Sequence, residues 1–256
     1  MIELEVVGSG KVVVVGHRGA MAHAPENTLA SFRKAMELRA HAAECDVRLT
    51  ADGEVVLLHD PTVDRVTNGT GFVGALTLRE LKRLDAGSWF GPQYAGERIP
   101  TLAELLELVR SSSMELVIEL KGEPEPPPAL IARTVELVRS YGMCSRTCII
   151  SFNHACLRAV TQLDPSIATG ILFGHATPEP IDEALAVGAR SLRPHHSRVT
   201  AALVSAAHAR GLAVHAWTAN SPELVRALAA MGVDSIGTDA PDVARAELAA
   251  MGLLAC

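Results

Sequence analysis

The sequence predicts an α/β fold: a (β/α)8 barrel of the TIM type with a small insertion after its second strand. Three observations lead there. Short apolar runs alternate with amphipathic stretches along the whole chain, and eight strand–helix pairs can be traced. A length of 256 residues, 48% of them hydrophobic, is enough for one large core, so residues 1–256 read as a single domain. Polar and charged residues also collect where the apolar runs stop, the end at which a barrel displays its working side chains. Periodicity does not say whether a sheet closes, so a doubly wound sheet is the alternative.

The predicted strands are 12–16, 43–49, 115–120, 147–151, 167–172, 189–193, 212–217 and 234–238. The predicted helices are 27–39, 101–110, 128–140, 153–162, 179–187, 199–209, 221–230 and 241–250. Thr101, Asn153 and Ser221-Pro222 are helix-start signals, because a side-chain oxygen there can accept from the first free backbone N–H groups. Gly142, Gly188, Gly211 and Gly232 stand where helices should stop. One unit departs from the rhythm. Strand 43–49 runs into Ala51-Asp52-Gly53 and then "EVVLLHD", the pattern of a hairpin. Residues 60–100, rich in Gly, Thr, Pro and aromatics, then form the insertion on the second βα connection. The run "EPEPPP" at 123–128 reads as a stiff lead-in to helix 128–140.

Composition narrows the function classes. A formal charge of −6 with 20% charged residues gives neither a disordered chain nor a nucleic-acid footprint. Val12–Val15 is the only apolar stretch near the start, too short for a signal-peptide core or a membrane span, and no basic leader precedes it. The five cysteines are scattered without a CxxC pair and read as reduced thiols, not as a disulfide frame or zinc site. The expectation is a soluble cytoplasmic protein without stable membrane insertion, with homo-oligomeric assembly left open.

Strand ends supply the candidate chemistry. The first delivers His17 and Arg18. The second delivers Glu44 and Asp46 on one face, with Cys45 on the other, because strand side chains alternate. "VIELK" places Glu119 and Lys121 on a shared face, and the last two strands end in Trp217-Thr218 and Thr238-Asp239. With a three-residue turn at 51–53, residue 46 lies opposite about 58, so His59 returns beside Glu44 and Asp46. Three carboxylates suit a hard divalent cation, Mg2+ or Ca2+, better than zinc. Arg18 and Lys121 suit an anion with tetrahedral oxygens, and two histidines can carry protons near neutral pH. Together they imply hydrolysis of a phosphate ester.

The ordered segments "GHRG", "PENTLASF", "ECDVRLTADGEVVLLHDPTVDRVTNGTG", "IPTLAELL", "IELK", "SFN", "AWTAN" and "GTDAPD" resemble those of the glycerophosphodiester phosphodiesterase family over nearly the whole chain. The resemblance implies a barrel with an insertion after strand 2, and hydrolysis of a small-molecule glycerophosphodiester to glycerol 3-phosphate and an alcohol. It also implies a divalent metal at Glu44, Asp46 and Glu119, an acid–base pair in His17 and His59, and phosphate ligands in Arg18 and Lys121. Which histidine is the base, and whether water or the glycerol 2-hydroxyl attacks, stay open. A lysophospholipase D-like or sphingomyelinase D-like activity on the same barrel is the alternative. Where family members carry Gly-Ala-Asp before strand 2, this chain has Arg39-Ala40-His41.

Five further expectations concern neighbouring residues. Trp217 reads as a wall of the substrate pocket, with plain core as the alternative. Glu26 and Asn27 read equally as a helix start or as substrate contacts, with partnership to Arg18 as a further option for Glu26. Asp239 reads as a helix cap before Pro241, and His195 and His196 as solvated loop residues, with a lining of the alcohol-side pocket as the alternative. Trp89, Phe90 and Tyr94 read as either the miniature core of the insertion or a lid.

Overall fold

The computed structural model describes residues 6–122, 125–175 and 177–255; residues 123–124 of the proline-rich run and Cys256 lie outside them. Eight parallel strands form the wall: β1 (Val13–Gly16), β2 (Ala42–Leu49), β4 (Glu115–Leu120), β5 (Thr147–Ser151), β6 (Ala168–Phe173), β7 (Ser191–Pro194), β8 (Ala213–Ala216) and β9 (Ser235–Thr238). A short antiparallel strand, β3 (Val55–Leu57), extends β2. The helices are α1 (Leu29–Glu37), α2 (Leu78–Leu81), α3 (Leu102–Arg110), α4 (Pro128–Ser140), α5 (His154–Leu163), α6 (Pro180–Val187), α7 (Ala201–His208), α8 (Pro222–Ala230) and α9 (Pro241–Ala250).

Strand β1 decides the architecture. It pairs with β2 through Val15–Ala42 and Gly16–Ala43, and with β9 through Val13–Ser235 to Gly16–Thr238. A first strand bonded to both the second and the last leaves no free edge, so the sheet is a closed barrel and not a doubly wound one. Alternation then sorts side chains into two cores. Val13, Val15, Ala42, Val117, Cys148, Ile150 and Leu172 fill the barrel. Val14, Ala43, Cys45, Ile118, Ile149, Ile171 and Val214 face outward under the helices. His17 continues the inward series of β1, Glu44 and Asp46 that of β2, and Glu119 and Lys121 that of β4.

Helix ends follow the local signals. Thr101 and Glu104 form a reciprocal capping box on α3, and Asn153 and Ser221 cap α5 and α8. Gly142, Gly188, Gly211 and Gly232 all take left-handed backbone just after helices. Helix α1 starts two residues later than 27–39 predicts, because Asn27 is left-handed (φ 56°) and Thr28 is the cap, accepting from Ser31 N.

The hairpin register is the one counted from the turn. Val47 pairs with Leu57 and Leu49 with Val55, and Leu58 N donates to Asp46 O at 3.0 Å. The insertion packs its own aliphatic core of Val56, Leu58, Val63, Val66, Val73, Leu81 and Ile99. Trp89, Phe90 and Tyr94 are not part of that core. They form an edge-to-face chain, with centroids 5.6 and 5.5 Å apart, and Tyr94 Oη donates to His23 O at 2.7 Å. Aromatic bulk there ties the insertion to the loop after β1. Among the described residues, no helix is long and apolar enough to cross a membrane.

Candidate active site

The loop leaving β1 explains the sequence Gly-His-Arg-Gly. A Cβ on Gly16 would lie 2.1 Å from Gly19 O, and one on Gly19 (φ 90°) would lie 2.4 Å from Ser31 Oγ. The chain therefore folds back tightly against α1. Arg18 between them is left-handed (φ 50°), a conformation that costs a non-glycine residue about 1–2 kcal/mol. In return its backbone N–H donates to Glu44 Oε2 at 3.0 Å, while Nη1 reaches Glu26 Oε1 at 2.7 Å and Nε lies 3.3 Å from Asp46 Oδ2. One residue thus meets three carboxylates from two elements.

Glu44, Asp46 and Glu119 are buried, and one carboxylate oxygen of each falls within 4.8 Å of the others. Lys121 Nζ sits 3.0 Å from Asp46 Oδ1 and 2.7 Å from Glu119 Oε1. Asn27 Nδ2 donates to Asp46 Oδ2 at 2.8 Å, and Asp46 N donates back to Asn27 Oδ1 at 3.2 Å. Burial works against the Asp46 carboxylate. The charges of Lys121, Arg18 and His59 and the Asn27 bond outweigh it, so its pKa lies below the ordinary value. Its neighbours go the other way. Burial, then the charge of Asp46, raises Glu44, and Glu119 is pushed up to about 8 by burial despite Lys121, with Asp46 and Glu44 adding to the rise. Three acids this close exceed what Arg18 and Lys121 neutralise. An all-oxygen donor set with negative charge left uncompensated fits a hard divalent cation.

The two histidines occupy opposite environments. His17 Nδ1 bonds Asp239 Oδ1 at 2.7 Å, and the ring lines the cleft above the barrel. Burial opposes its cation, but the Asp239 bond and the Glu44 charge more than offset that, and its pKa is raised. His59 Nδ1 bonds Asp60 Oδ1 at 2.7 Å, and Arg48 Nη2 holds the His59 carbonyl at 2.6 Å. Burial lowers its pKa, and the charges of Lys121 and Arg18 add to this against the pull of Asp46 and Asp60. In both rings the Nδ1–carboxylate bond leaves Nε2 for chemistry.

All the predicted site residues except Trp217 and Glu26 belong directly to this cluster, and those two border it. Trp217 lines the cleft, which also takes in His17, Glu44, Glu119 and Phe152. Its indole Nε1 donates to Arg193 O at 2.8 Å, Phe152 meets it edge-on at 5.7 Å, and the Trp217–Thr218 peptide is cis. Glu26 is a partner of Arg18. Three expectations are corrected. Asp239 is not the helix cap: Ala240 holds that place without a side-chain bond, and Asp239 turns inward to His17 and Asn220. His195 is not a free loop residue, since its ring packs edge-on to Trp217 at 5.1 Å and against His196 at 4.0 Å. The insertion aromatics do not line this cleft. Asp60 and Arg65 went unmarked in the sequence, although Asp60 directly follows His59.

Fold and site together define a class, the phosphodiester hydrolases built on a (β/α)8 barrel. The chain belongs to the glycerophosphodiester phosphodiesterase family: the model of the "Glycerophosphoryl diester phosphodiesterase family" matches residues 17–243. A glycerophosphodiester phosphodiesterase of Caldanaerobacter subterraneus subsp. tengcongensis is 41% identical over 232 residues, covering 91% of this chain and 96% of the relative. A phosphodiesterase of Oleispira antarctica, solved in complex with the product sn-glycerol-3-phosphate, is 33% identical with a TM-score of 0.88, covering 94% and 98% of the two chains. A glycerophosphodiester phosphodiesterase of Agrobacterium tumefaciens superimposes with a TM-score of 0.80 at 30% identity, covering 91% and 98%.

Proposed function

We propose that this chain, acting as one catalytic domain, hydrolyses a glycerophosphodiester to glycerol 3-phosphate and an alcohol with His17 and His59 as its proton carriers. The observation that carries the reading is the convergence of Glu44, Asp46 and Glu119 with Arg18 and Lys121 between two carboxylate-anchored imidazoles. The product bound to the Oleispira antarctica relative supports glycerol 3-phosphate as the retained half.

Glu44, Asp46 and Glu119 would hold the divalent cation, Mg2+ or Ca2+, which when bound supplies positive charge to the phosphoryl oxygens. Arg18 and Lys121 bind the remaining phosphate oxygens, the first as a fork and the second as a point charge. His59, whose pKa is lowered, is neutral near pH 7; its Nε2 takes the proton of the attacking water or glycerol 2-hydroxyl. His17, whose pKa is raised, holds its proton to higher pH than His59 does and gives it from Nε2 to the departing alcohol. Asp239 holds the His17 ring in that orientation. Trp217 and Phe152 form the apolar wall against the glycerol carbons.

Turnover of glycerophosphocholine, assayed by release of glycerol 3-phosphate with Mg2+ or Ca2+ and again with chelator, tests the proposal. Faster release of choline from lysophosphatidylcholine or sphingomyelin than of glycerol 3-phosphate from the soluble diester would favour the phospholipase D-like alternative and reject this one.

A further inference from the structure

Five side chains make one hydrogen-bonded chain across the barrel mouth: Arg18, Glu26, Arg65 and Asp60 alternate in charge, and the His59 imidazole ends the series. Arg18 Nη1 donates to Glu26 Oε1 at 2.7 Å. Arg65 grips the same carboxylate with both terminal nitrogens, Nη1 to Oε2 at 2.7 Å and Nη2 to Oε1 at 2.9 Å. Its remaining Nε donates to Asp60 Oδ2 at 2.6 Å, and the other oxygen of Asp60 bonds His59 Nδ1 at 2.7 Å. One end of this chain is the phosphate ligand of the proposed reaction, and the other end is its base.

The two ends come from separate parts of the fold. Arg18 leaves β1 of the barrel wall, whereas His59, Asp60 and Arg65 lie on the arm that follows β3. We propose that Arg65 is the positioning residue that fixes His59 relative to Arg18, locking the insertion-borne base in register with the barrel-borne anion clamp. The inference rests on the hydrolytic reading above.

The geometry favours positioning over two simpler roles. Arg65 does not hold its own loop shut: Val63 N bonds Gly71 O and Val73 N bonds Pro61 O, each at 3.0 Å, and Val63 and Val66 are buried on either side of it. Charge balance alone does not require it either. Glu26 already has Arg18 at 2.7 Å, and a single ammonium would satisfy a lone carboxylate. What a guanidinium adds is three N–H vectors at fixed angles, here spent on two acids that each orient a different working group. Nor is Arg65 a core residue whose loss must unfold the chain, since its side chain is 46% exposed.

The test uses Arg65→Lys, Arg65→Met, Glu26→Gln and Asp60→Asn in the full chain. With glycerophosphocholine, R65K and R65M should both lose about 100-fold in kcat, the scale of a misplaced catalytic group, with melting temperature and circular dichroism near wild type. Glu26→Gln and Asp60→Asn should be coupled, the double variant losing less than the product of the single losses. In the R65M background the two losses should multiply, because the link is already broken. Side-chain NMR reads the same geometry without turnover: the Arg18 Nε–H and His59 ring resonances should both move in R65M. Wild-type kcat in R65M, independent losses in the Arg65-containing background, or unmoved resonances would each overturn the inference. A wild-type chain inactive on glycerophosphodiesters would instead reject the hydrolytic reading, and the resonances alone would then decide the role of Arg65.

Discussion

His17 and His59 are the same residue type with pKa values moved in opposite directions. The ordinary imidazole value is 6.5, and the folded environment raises His17 and lowers His59. Between the two values a protonated His17 coexists with a neutral His59, the state the proposed reaction needs. The rate should therefore rise with pH as His59 gives up its proton and fall at higher pH as His17 gives up its own. Asp239→Asn removes the carboxylate that supports the His17 cation. Its alkaline limb should move to lower pH while the acid limb stays in place, as read from kcat/KM profiles. An unchanged alkaline limb would mean that His17 is not the acid. His17→Ala should lose about 100- to 10,000-fold in kcat, the usual worth of a positioned proton donor. Far-UV circular dichroism should be unchanged, because the ring sits at the barrel mouth and not in its core. At this scale the sequence was legible where a residue's role depends on its own strand, as for His17, Glu44 and Lys121. It was misleading for Asp239, whose neighbour Pro241 signals a helix start while its partner is a residue 222 positions away.

The α1–β2 connection shows what an element can and cannot reveal about itself. Helix α1 ends in a Schellman arrangement: Ala40 N bonds Ala35 O at 2.9 Å and Arg39 N bonds Met36 O at 3.0 Å. Arg39 is left-handed there (φ 57°), where Gly142 makes the same turn after α4 at φ 67°. A glycine at 39 would relieve the side-chain strain of about 1–2 kcal/mol and give back part of it as unfolded-chain entropy. Arg39→Gly should thus raise stability by about 0.5–1 kcal/mol in urea unfolding, with kcat unaltered; a destabilised variant would show that the Arg39 side chain contributes more than its backbone costs. The β2–β3 hairpin was readable because Ala51-Asp52-Gly53 sets the turn length and turn length sets the register. That count brought His59 beside Asp46 before any tertiary contact was known. The aromatic residues of the insertion were not readable, because bulk alone does not say whether a ring enters a core or bridges two loops.

Across the whole molecule, the expected metal links chemistry and stability. Glu44, Asp46 and Glu119 come from two adjacent strands, and their mutual repulsion is a cost that the folded chain bears and the unfolded chain does not. A divalent cation bound only by the folded form should raise the melting temperature as its concentration increases. Calorimetry with Mg2+, Ca2+ and chelator measures this, and Glu119→Gln should abolish most of the shift. A melting temperature indifferent to both metals in the wild type would argue against the site. Sequence by itself determined which side chains face inward, since the parity of 13, 15 and 17, of 42, 44 and 46, and of 117, 119 and 121 is a property of each strand alone. Only the tertiary structure decided that the sheet closes, and with closure that Asp239, just past the last strand, meets His17, just past the first, and that Arg65 spans 39 positions to reach Glu26. Alternation is set between neighbouring peptide units, but these partners exist only where β1 bonds β9 and the insertion folds back over the mouth, and no local pattern encodes that meeting.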